Sequence, residues 1–430
     1  MRIQLLASLS VLLLSGSGCS SQEDPLISVD ASTLDAGRTD QTDGVDSDVE
    51  SDGTDGQSSS AATDSTDGAD GETSSGVGAN SCESDDQCSG ATCASSVCVI
   101  TPDSDSVLTD NTTDEQVDDT PNLDCVDVEW SSATSETVTI YGIVDRFGAG
   151  RPTTGIEVSV FLASDWPPVD LAIFEEGDTD AIRNAFRNAS TQDGWTVLST
   201  EPEASAAALP DACDGDRDCP IGYECMEPGE PQSGCEPEFG LFEIANVPAN
   251  VPLIIRATSK TGTSAFDNKW KDTYSYNLVA STAWAEDGNR VRMNALLVSD
   301  GQWQTVPNTL GLVGGIKGGN GAVGGRVRDC GTDARRGYTM SNVSIGLQKP
   351  GKATGYFNTS ETDTVPLVGR NATNIFGRYT AVDVPSGPNR LAALAQIDGV
   401  LTSLGSESFY LVPDSLAVIT LPGKVPVFNK

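Results

Sequence analysis

The sequence predicts a mainly β protein, in which two tandem antiparallel β-sandwich domains follow a disordered acidic tether and small disulfide-rich modules. Three observations predict this class. From residue 125 onward, short runs alternate apolar and polar residues, which is the period-2 pattern of half-buried strands. The order of these runs occurs twice. The preceding residues 22–124 are rich in Asp, Ser, Thr and Gly and contain four closely spaced cysteines.

Residues 1–18 have the composition of a secretion signal. One arginine precedes an apolar run of about a dozen residues, which is shorter than the roughly 20 that a membrane-spanning helix needs. No later stretch is apolar and long enough to span a membrane. We therefore expect the leader to be removed.

The end of the leader, Leu14-Ser-Gly16-Ser-Gly-Cys19, resembles a bacterial lipobox. The resemblance implies cleavage before Cys19, lipidation of that cysteine and attachment to a membrane through the lipid. Ser20 is not the Asp that resembles an inner-membrane retention signal, so the expected location is the outer membrane, with the protein periplasmic or surface-exposed. Gly16 departs from the usual Leu, and ordinary cleavage to give an unlipidated secreted protein is the alternative.

Residues 19–80 predict a lipid-anchored, disordered acidic tether, because the segment has no aromatic residue and few branched apolar ones. Residues 101–124 predict a second, shorter linker. Residues 22–124 carry 26 acidic residues against one arginine, a net −25 out of −38 for the whole chain. Such acidity argues against nucleic acid as a partner and against electrostatic attraction to an anionic lipid surface.

Ten cysteines remain beyond Cys19, and eight of them form two clusters. The first cluster lies in a cysteine module at residues 81–100. In both clusters, five residues separate the first two cysteines, and several of these five are acidic. The members are Cys82, Cys88, Cys93 and Cys98, and then Cys213, Cys219, Cys225 and Cys235. In a secreted chain, such clusters indicate two disulfides each, with three pairings open. A four-thiolate zinc site is the alternative, but the clusters lack Cys-x-x-Cys knuckles.

The cysteine clusters also resemble short modules of secreted myxobacterial proteins. Cys125 and Cys330 are left over. A disulfide between them would join the two large domains.

Histidine is absent from the sequence. Its absence excludes Ser-His-Asp and Cys-His nucleophilic sites, the common zinc-hydrolase ligand sets and histidine acid–base catalysis. Carboxylate pairs and Ser-Lys dyads remain possible, but no motif for them is present. We expect no enzymatic activity, no cofactor and no metal.

Two copies of one strand order follow Cys125. Predicted strands lie within 138–144, 156–160, 241–244 and 253–257 in the first copy, and within 322–327, 343–347, 378–381 and 391–394 in the second. A motif with identical spacing marks both copies: Phe239-Gly-x-Phe242 leads to Val247-Pro248, and Phe376-Gly-x-Tyr379 leads to Val384-Pro385. The Gly turns into the strand, the aromatic packs inward and the Pro ends the strand.

This order of strands resembles the carboxypeptidase-regulatory-like, or transthyretin-like, β-sandwich, which is also grouped with carbohydrate-binding-like folds. The resemblance implies accessory or structural modules. Predicted boundaries are 125–310 for the first sandwich, 311–321 for a Gly-rich linker and 322–430 for the second sandwich. The linker ends within a Gly-x-Gly-x-x-Gly match at residues 319–324, which leads into a β-like run and so fails as a dinucleotide motif.

The first sandwich contains a cysteine-rich insertion, at about residues 165–238, with a predicted helix over 178–188. The insertion would either bind a ligand or be a disulfide-stabilised elaboration that covers a sheet edge. Weak calcium candidates within it are Asp214, Asp216 and Asp218, although Cys219 stands where a calcium loop needs Gly. The densest aromatic tract offers possible ligand contacts or core: Trp270, Tyr274, Tyr276 and Trp284.

The sequence thus favours a non-enzymatic cell-envelope lipoprotein that presents β-sandwich domains for structural or adhesive interaction, with another envelope protein as a possible partner. The alternative is a carbohydrate-binding envelope protein that contacts a glycan, peptidoglycan or exopolysaccharide. An enzyme using carboxylates is a third possibility.

Overall fold

The structure, a computed structural model, describes residues 81–423 except 111–114, 118, 127, 132–133, 148–152, 175–176, 193, 203–218, 227–233, 260–269, 287, 333–336 and 358–364. The leader, the lipidation candidate Cys19 and the tether lie outside the described residues, as do Cys213 and the three calcium candidates. The described residues belong to one compact unit, Thr73–Lys430. Strands dominate their regular structure, which confirms the mainly β class.

The described residues form 24 strands and two α-helices. Four short strands come first: β1 Thr92–Ala94, β2 Val97–Val99, β3 Val107–Asp110 and β4 Glu115–Val117. The first copy contains β5 Thr137–Phe147, β6 Ile156–Leu162, α1 Thr179–Asn188, β7 Thr196–Leu198, β8 Tyr223–Met226, β9 Gly234–Pro237, β10 Gly240–Pro248, β11 Pro252–Ser259, β12 Trp270–Lys271, β13 Thr273–Val279, β14 Arg290–Arg292, β15 Ala295–Ser299 and α2 Asp300–Thr309. The second copy contains β16 Gly321–Arg328, β17 Thr339–Ser341, β18 Ser344–Leu347, β19 Ala353–Phe357, β20 Pro366–Leu367, β21 Arg378–Val384, β22 Gly387–Ile397, β23 Val400–Leu411 and β24 Leu416–Pro422. All eight predicted strands overlap observed ones.

Each copy pairs its strands in the same way. In the first copy, β5 pairs antiparallel with β10 and parallel with β15, while β11 lies between β6 and β13. In the second copy, β16 pairs antiparallel with β21 and parallel with β24, while β22 lies between β18 and β23. The parallel pairs are a feature that the alternating sequence pattern does not reveal, because that pattern is the same for either strand direction.

Backbone geometry repeats at the same offsets from the shared motif. Seven residues after its Phe, Asn246 and Asp383 have φ values of 58° and 55°, and each lies at or beside a register shift. Eleven residues after it, Asn250 and Gly387 again have positive φ. These are left-handed conformations that Asn, Asp and Gly tolerate best, so both strands end in the same kind of β-bulge and turn.

A hydrogen-bond network holds the second of these bulges. The Asp383 carboxylate accepts from the backbone N–H of Lys317 and the Asn320 side chain, and it pairs with Lys352 at 2.9 Å. Burial alone would raise the pKa of Asp383, but these partners lower it below its ordinary value. The ionised form is therefore favoured in the folded state.

The two copies share one sheet. Strand β24 pairs with β16 along one edge and, also in parallel, with β13 along the other, which gives a 12-stranded sheet through both copies. The Gly-x-Gly-x-x-Gly stretch enters this sheet as the start of β16, in agreement with its rejection as a dinucleotide motif. The predicted boundaries at 310 and 322 stay a prediction.

The residues before the first copy pack against the second copy. The first cysteine module covers the β18–β22–β23 sheet, where Val97, Val99 and Leu394 share a small core. Within the stretch predicted as a linker, residues 101–124, β3 and β4 extend the large sheet by pairing through β17. Composition does not indicate this pairing, because these short strands attach through backbone hydrogen bonds and through one side chain, Leu108, that is buried in the core.

The insertion covers one face of the first copy's sheet that contains β6, β11 and β13. Helix α1 begins at Asp178, whose side chain accepts from two backbone N–H groups, and it buries Ile182 and Phe186, which confirms the predicted helix and its apolar face. These side chains join the larger core cluster together with Tyr274 and Tyr276. The observed role of this part of the insertion is therefore packing.

Candidate functional site

A partly open cleft lies where the outer face of the β16–β21–β24 sheet meets α2 and the strands β5 and β15. Its volume is about 220 Å³. Helix α2 forms one wall and starts at Ser299, whose hydroxyl accepts from the Gln302 N–H at 3.3 Å. Trp303 and Val306 are buried on the side of α2 that faces the sheet.

Alternation along the strands decides which side chains reach the cleft. On β16, Val323 and Val327 point into the sandwich core, so Ala322, Gly324 and Arg326 line the cleft. The other apolar walls come from both copies and from α2: Phe147, Trp303, Val306, Phe357, Leu416 and Val418. The cleft is thus a gap in the apolar seam between the copies.

Charged groups in the lining are three arginines, Arg146, Arg326 and Arg378, and one acid, Asp145. Arg146 pairs with Glu238 at 2.5 Å. Arg326 is 6% exposed, so its guanidinium is held in a region of low dielectric. Positive lining is unusual in a chain with 25 basic and 63 acidic residues.

The repeated motif positions two of these arginines. Arg146 lies over the ring of Phe239 at 5.1 Å, and Arg378 lies over the ring of Phe376 at 5.2 Å. Each motif Phe therefore supports a guanidinium through its ring face. Tyr379, at the base of the cleft, donates to the backbone oxygen of Ile419 at 2.7 Å, and burial raises its pKa, so its hydroxyl stays neutral.

Glycines 324 and 325 differ in what they do for the cleft. A Cβ at Gly325 would overlap the backbone oxygen of Ile419, so close strand packing requires Gly there. A Cβ at Gly324 would lie 3.4 Å from the backbone oxygen of Tyr379, its nearest neighbour, which is ordinary contact. The backbone of Gly324 does not have positive φ either. Its missing side chain therefore leaves space in the cleft floor without being needed for the fold.

The aromatic tract lies elsewhere, in the core. Trp270, Tyr274 and Tyr276 are at most 4% exposed, and Trp284 is half-buried. Trp166 from the insertion packs against Tyr274 at 5.6 Å and Tyr276 at 6.0 Å. A buried ring offers no face to a sugar, so three of the four possible ligand contacts serve packing.

An ionic network under α1 surrounds these rings. Arg187 forms two hydrogen bonds with Asp272, at 2.5 and 2.9 Å, and Arg256 donates to the backbone oxygen of Phe186. Burial would lower the pKa of Arg187, but Asp272 raises it above its ordinary value, whereas burial lowers the pKa of Arg256. This network attaches α1 to the sheet.

The tyrosine hydroxyls beside that network are not equivalent. Tyr276 donates to the backbone oxygen of Tyr410. The Tyr274 hydroxyl has no hydrogen-bond partner among the described residues, and its pKa is raised well above 10.0, first by burial and then by Asp272.

Every cysteine in the described residues is disulfide-bonded. The bonds with both partners described are Cys82–Cys93, Cys88–Cys98, Cys125–Cys330 and Cys219–Cys235. The first module thus pairs its first cysteine with its third and its second with its fourth. The sulfurs of Cys82, Cys88 and Cys98 lie within 4.8 Å of one another, but a disulfide sulfur is not the thiolate that zinc binds.

The Cys125–Cys330 bond joins the segment leading into β5 to the end of β16. Beside it, Asn122 accepts from the Cys330 N–H at 2.8 Å and donates to the backbone oxygen of Gly331. These two cysteines thus link the segment that precedes β5 of the first copy to the second copy.

Sequence reasoning did not find the cleft. Its lining residues are distributed over more than 270 positions of chain, from Asp145 to Val418, and of the repeated motif only Arg378 and Tyr379 are among them. The available signal was Arg378, which directly follows the motif glycine Gly377, and a single arginine is too common to interpret alone.

Neither described helix is long and apolar enough to cross a membrane. No protein-family model and no curated protein matches the chain. A solved structure, the minor pilin GBS52 of the Gram-positive pathogen Streptococcus agalactiae, is 12% identical over 69% of this chain and 98% of that chain, with a TM-score of 0.17. At that TM-score, the likeness carries no argument.

Proposed function

We propose that the protein is a non-enzymatic cell-envelope lipoprotein, anchored through Cys19, that presents a fused pair of carboxypeptidase-regulatory-like sandwiches for structural or adhesive interaction. The observation that carries the proposal is the shared sheet. Because β24 pairs with both β16 and β13, the two copies move as one body. A body of this kind presents a surface of fixed shape, which suits a protein that is displayed at the end of a tether for contact with a partner.

The disulfides support an extracytoplasmic location. Nine described cysteines are oxidised, and structural disulfides persist in oxidising compartments. The secretion signal and the lipobox-like stretch predict the same location independently. The outer membrane is the proposed site of attachment, because Ser20 is not an inner-membrane retention signal.

The absence of histidine from the whole sequence supports a non-enzymatic role. The core positions of the aromatic tract support structure over sugar stacking. Packing also accounts for α1, which covers a sheet face that would otherwise expose Phe161 and Ile254.

The test compares the full chain with Cys19→Ala in bacterial cells fed a clickable fatty acid. The proposal expects label on the wild-type protein only, co-fractionation of wild type with the outer membrane and release of the variant as a soluble protein. Cells carrying the wild type should adhere to one another or to a surface more than cells carrying the variant. Persistent label on Cys19→Ala, or equal adhesion, would contradict the proposal, as would turnover of a substrate or specific binding on a glycan array.

A further inference from the structure

We propose that the cleft between α2 and the β16–β21–β24 sheet binds an uncharged, apolar small molecule of about nine carbon atoms, such as an alkylbenzene. The ligand would lie over Gly324, between Trp303 on α2 and Leu416 on β24. This site is independent of the proposed envelope role and goes beyond it.

The charged groups of the lining favour an uncharged ligand, because they already have partners within the protein. Arg146 pairs with Glu238, and Arg378 lies over the ring of Phe376. Further interactions engage all four charged side chains of the lining: Asp145, Arg146, Arg326 and Arg378. A charged ligand would therefore lose its water without gaining a free counter-charge, which costs free energy.

The uncharged polar groups of the lining are engaged as well. The Thr380 hydroxyl donates to the backbone oxygen of Val323 at 3.3 Å, and the Tyr379 hydroxyl donates to that of Ile419 at 2.7 Å. The backbone of β16 pairs with β21 on one side and with β24 on the other. A sugar would place its hydroxyl groups against carbon or against groups that already have partners, so the contacts that the cleft offers are apolar.

The size and the apolar walls of the cleft determine the kind of molecule. A dry cavity of about 150 Å³ accommodates benzene, and this cleft, at about 220 Å³, is larger by about half. Three aromatic side chains belong to its walls, Phe147, Trp303 and Phe357, and the two Phe rings meet edge to face with their centres 5.4 Å apart. Such walls offer edges and faces to a further ring. A single ring with a short alkyl substituent fills this volume.

Gly324 in the floor of the cleft provides an independent argument. Glycine inside a strand weakens it, and its presence there often marks the close approach of another backbone or of a ligand. No close backbone approach requires it at this position, because the nearest atom to an added Cβ, the backbone oxygen of Tyr379, would be 3.4 Å away and φ is not positive. The space that the missing side chain leaves lies within the cleft. It is therefore part of the volume that a ligand would occupy.

The test is isothermal titration calorimetry on the full chain with three probes that have the same number of carbon atoms: propylbenzene, 4-ethylbenzoate and 4-ethylbenzylammonium. The proposal expects propylbenzene to bind at one site with a dissociation constant of about 0.1 mM, given the usual affinity per non-hydrogen atom. It should bind at least about tenfold more tightly than either charged probe. Added salt should not weaken propylbenzene binding, because no ionic contact forms. Equal or tighter binding of a charged probe, or no binding of propylbenzene up to its solubility, would overturn the proposal.

Substitutions at two glycines locate the site. Gly324→Leu fills the floor and should weaken propylbenzene binding at least about tenfold, while Gly324→Ala should weaken it by a smaller factor. The matched control is Gly318→Leu, outside the lining, where φ is not positive and an added Cβ would have nothing within 4 Å; it should bind as the wild type does. Circular dichroism and the thermal midpoint establish that each variant is folded, and if Gly324→Leu is not, the alanine variant and the three-probe comparison decide. Undiminished binding in folded Gly324→Leu, or an equal loss in Gly318→Leu, would overturn the proposal.

Discussion

Removing the Cys125–Cys330 disulfide tests how the second copy is joined to the segment that leads into the first. The bond closes a stretch of 205 residues. By the chain-entropy relation, the change of both cysteines to serine should lower the free energy of unfolding by about 5 kcal/mol. The neighbouring contacts of Asn122 with Cys330 and Gly331 remain possible in the variant, so most of the effect should come from the less restricted unfolded chain.

The matched control is the change of Cys82 and Cys93 to serine. That bond closes a stretch of only 11 residues, for which the same relation gives about 3 kcal/mol. The difference expected from loop length alone is about 2.6 kcal/mol. The ranking therefore tests the long loop separately from the general effect of losing a disulfide.

The assay is urea unfolding of the full chain without reductant, followed by the fluorescence of the buried tryptophans. The variant lacking Cys125–Cys330 should have the lower midpoint and an unchanged folded-state circular dichroism spectrum. A loss equal to or smaller than that of the Cys82 and Cys93 control would refute the reasoning, because the long loop would then contribute nothing of its own.

Three further changes have defined outcomes. Tyr274→Phe removes a buried hydroxyl that has no hydrogen-bond partner among the described residues, so it should raise the free energy of unfolding by about 1 kcal/mol. Tyr276→Phe removes a hydrogen bond and should lower the free energy of unfolding by about 1 kcal/mol. Chemical denaturation that ranks the two variants in the opposite order would contradict this expectation. Because the pKa of Asp383 is lowered in the folded state, its contribution is present above the unfolded pKa of about 3.9 and is lost as pH falls through the folded pKa. Wild type should therefore exceed Asp383→Asn in thermal midpoint at pH 7, and the gap should close below about pH 4; a constant gap would count against the ion pair. A Cβ at Gly346 would lie 2.5 Å from a backbone oxygen of the first cysteine module, so Gly346→Ala should loosen that module, at a cost of about 1–3 kcal/mol. Limited proteolysis should then cut residues 81–100 faster than in Gly324→Ala, where the contact is ordinary, and equal rates would argue against the close approach.

The alternating pattern predicted the strands because side chains on a half-buried sheet must alternate between core and solvent. Every predicted strand overlaps an observed one, and the spacing of the Phe239 and Phe376 motifs corresponds to equal bulges at Asn246 and Asp383. The helix of the insertion was equally accessible, since Ile182 and Phe186 recur at helical spacing. These features depend on residues that are close in sequence.

The aromatic tract shows where such reasoning stops. Composition alone left Tyr274 and Tyr276 as either ligand contacts or core. The structure buries them, because α1 and Trp166 from the insertion lie over that face of the sheet. Which of two faces is covered depends on a segment about a hundred residues away, and no local pattern indicates it.

The sequence by itself determined the mainly β class, the duplicated strand order, the disulfide-rich modules and the absence of histidine chemistry. Only the tertiary structure decided that β24 pairs with β13 and joins the copies in one sheet, that the first cysteine module packs on the second copy, and that Arg146, Arg326 and Arg378 line one cleft. The physical reason is the same in each case. Alternation and spacing are constraints within a strand, whereas the pairing of strand edges and the meeting of sheet faces depend on partners that the chain brings together only when it is folded.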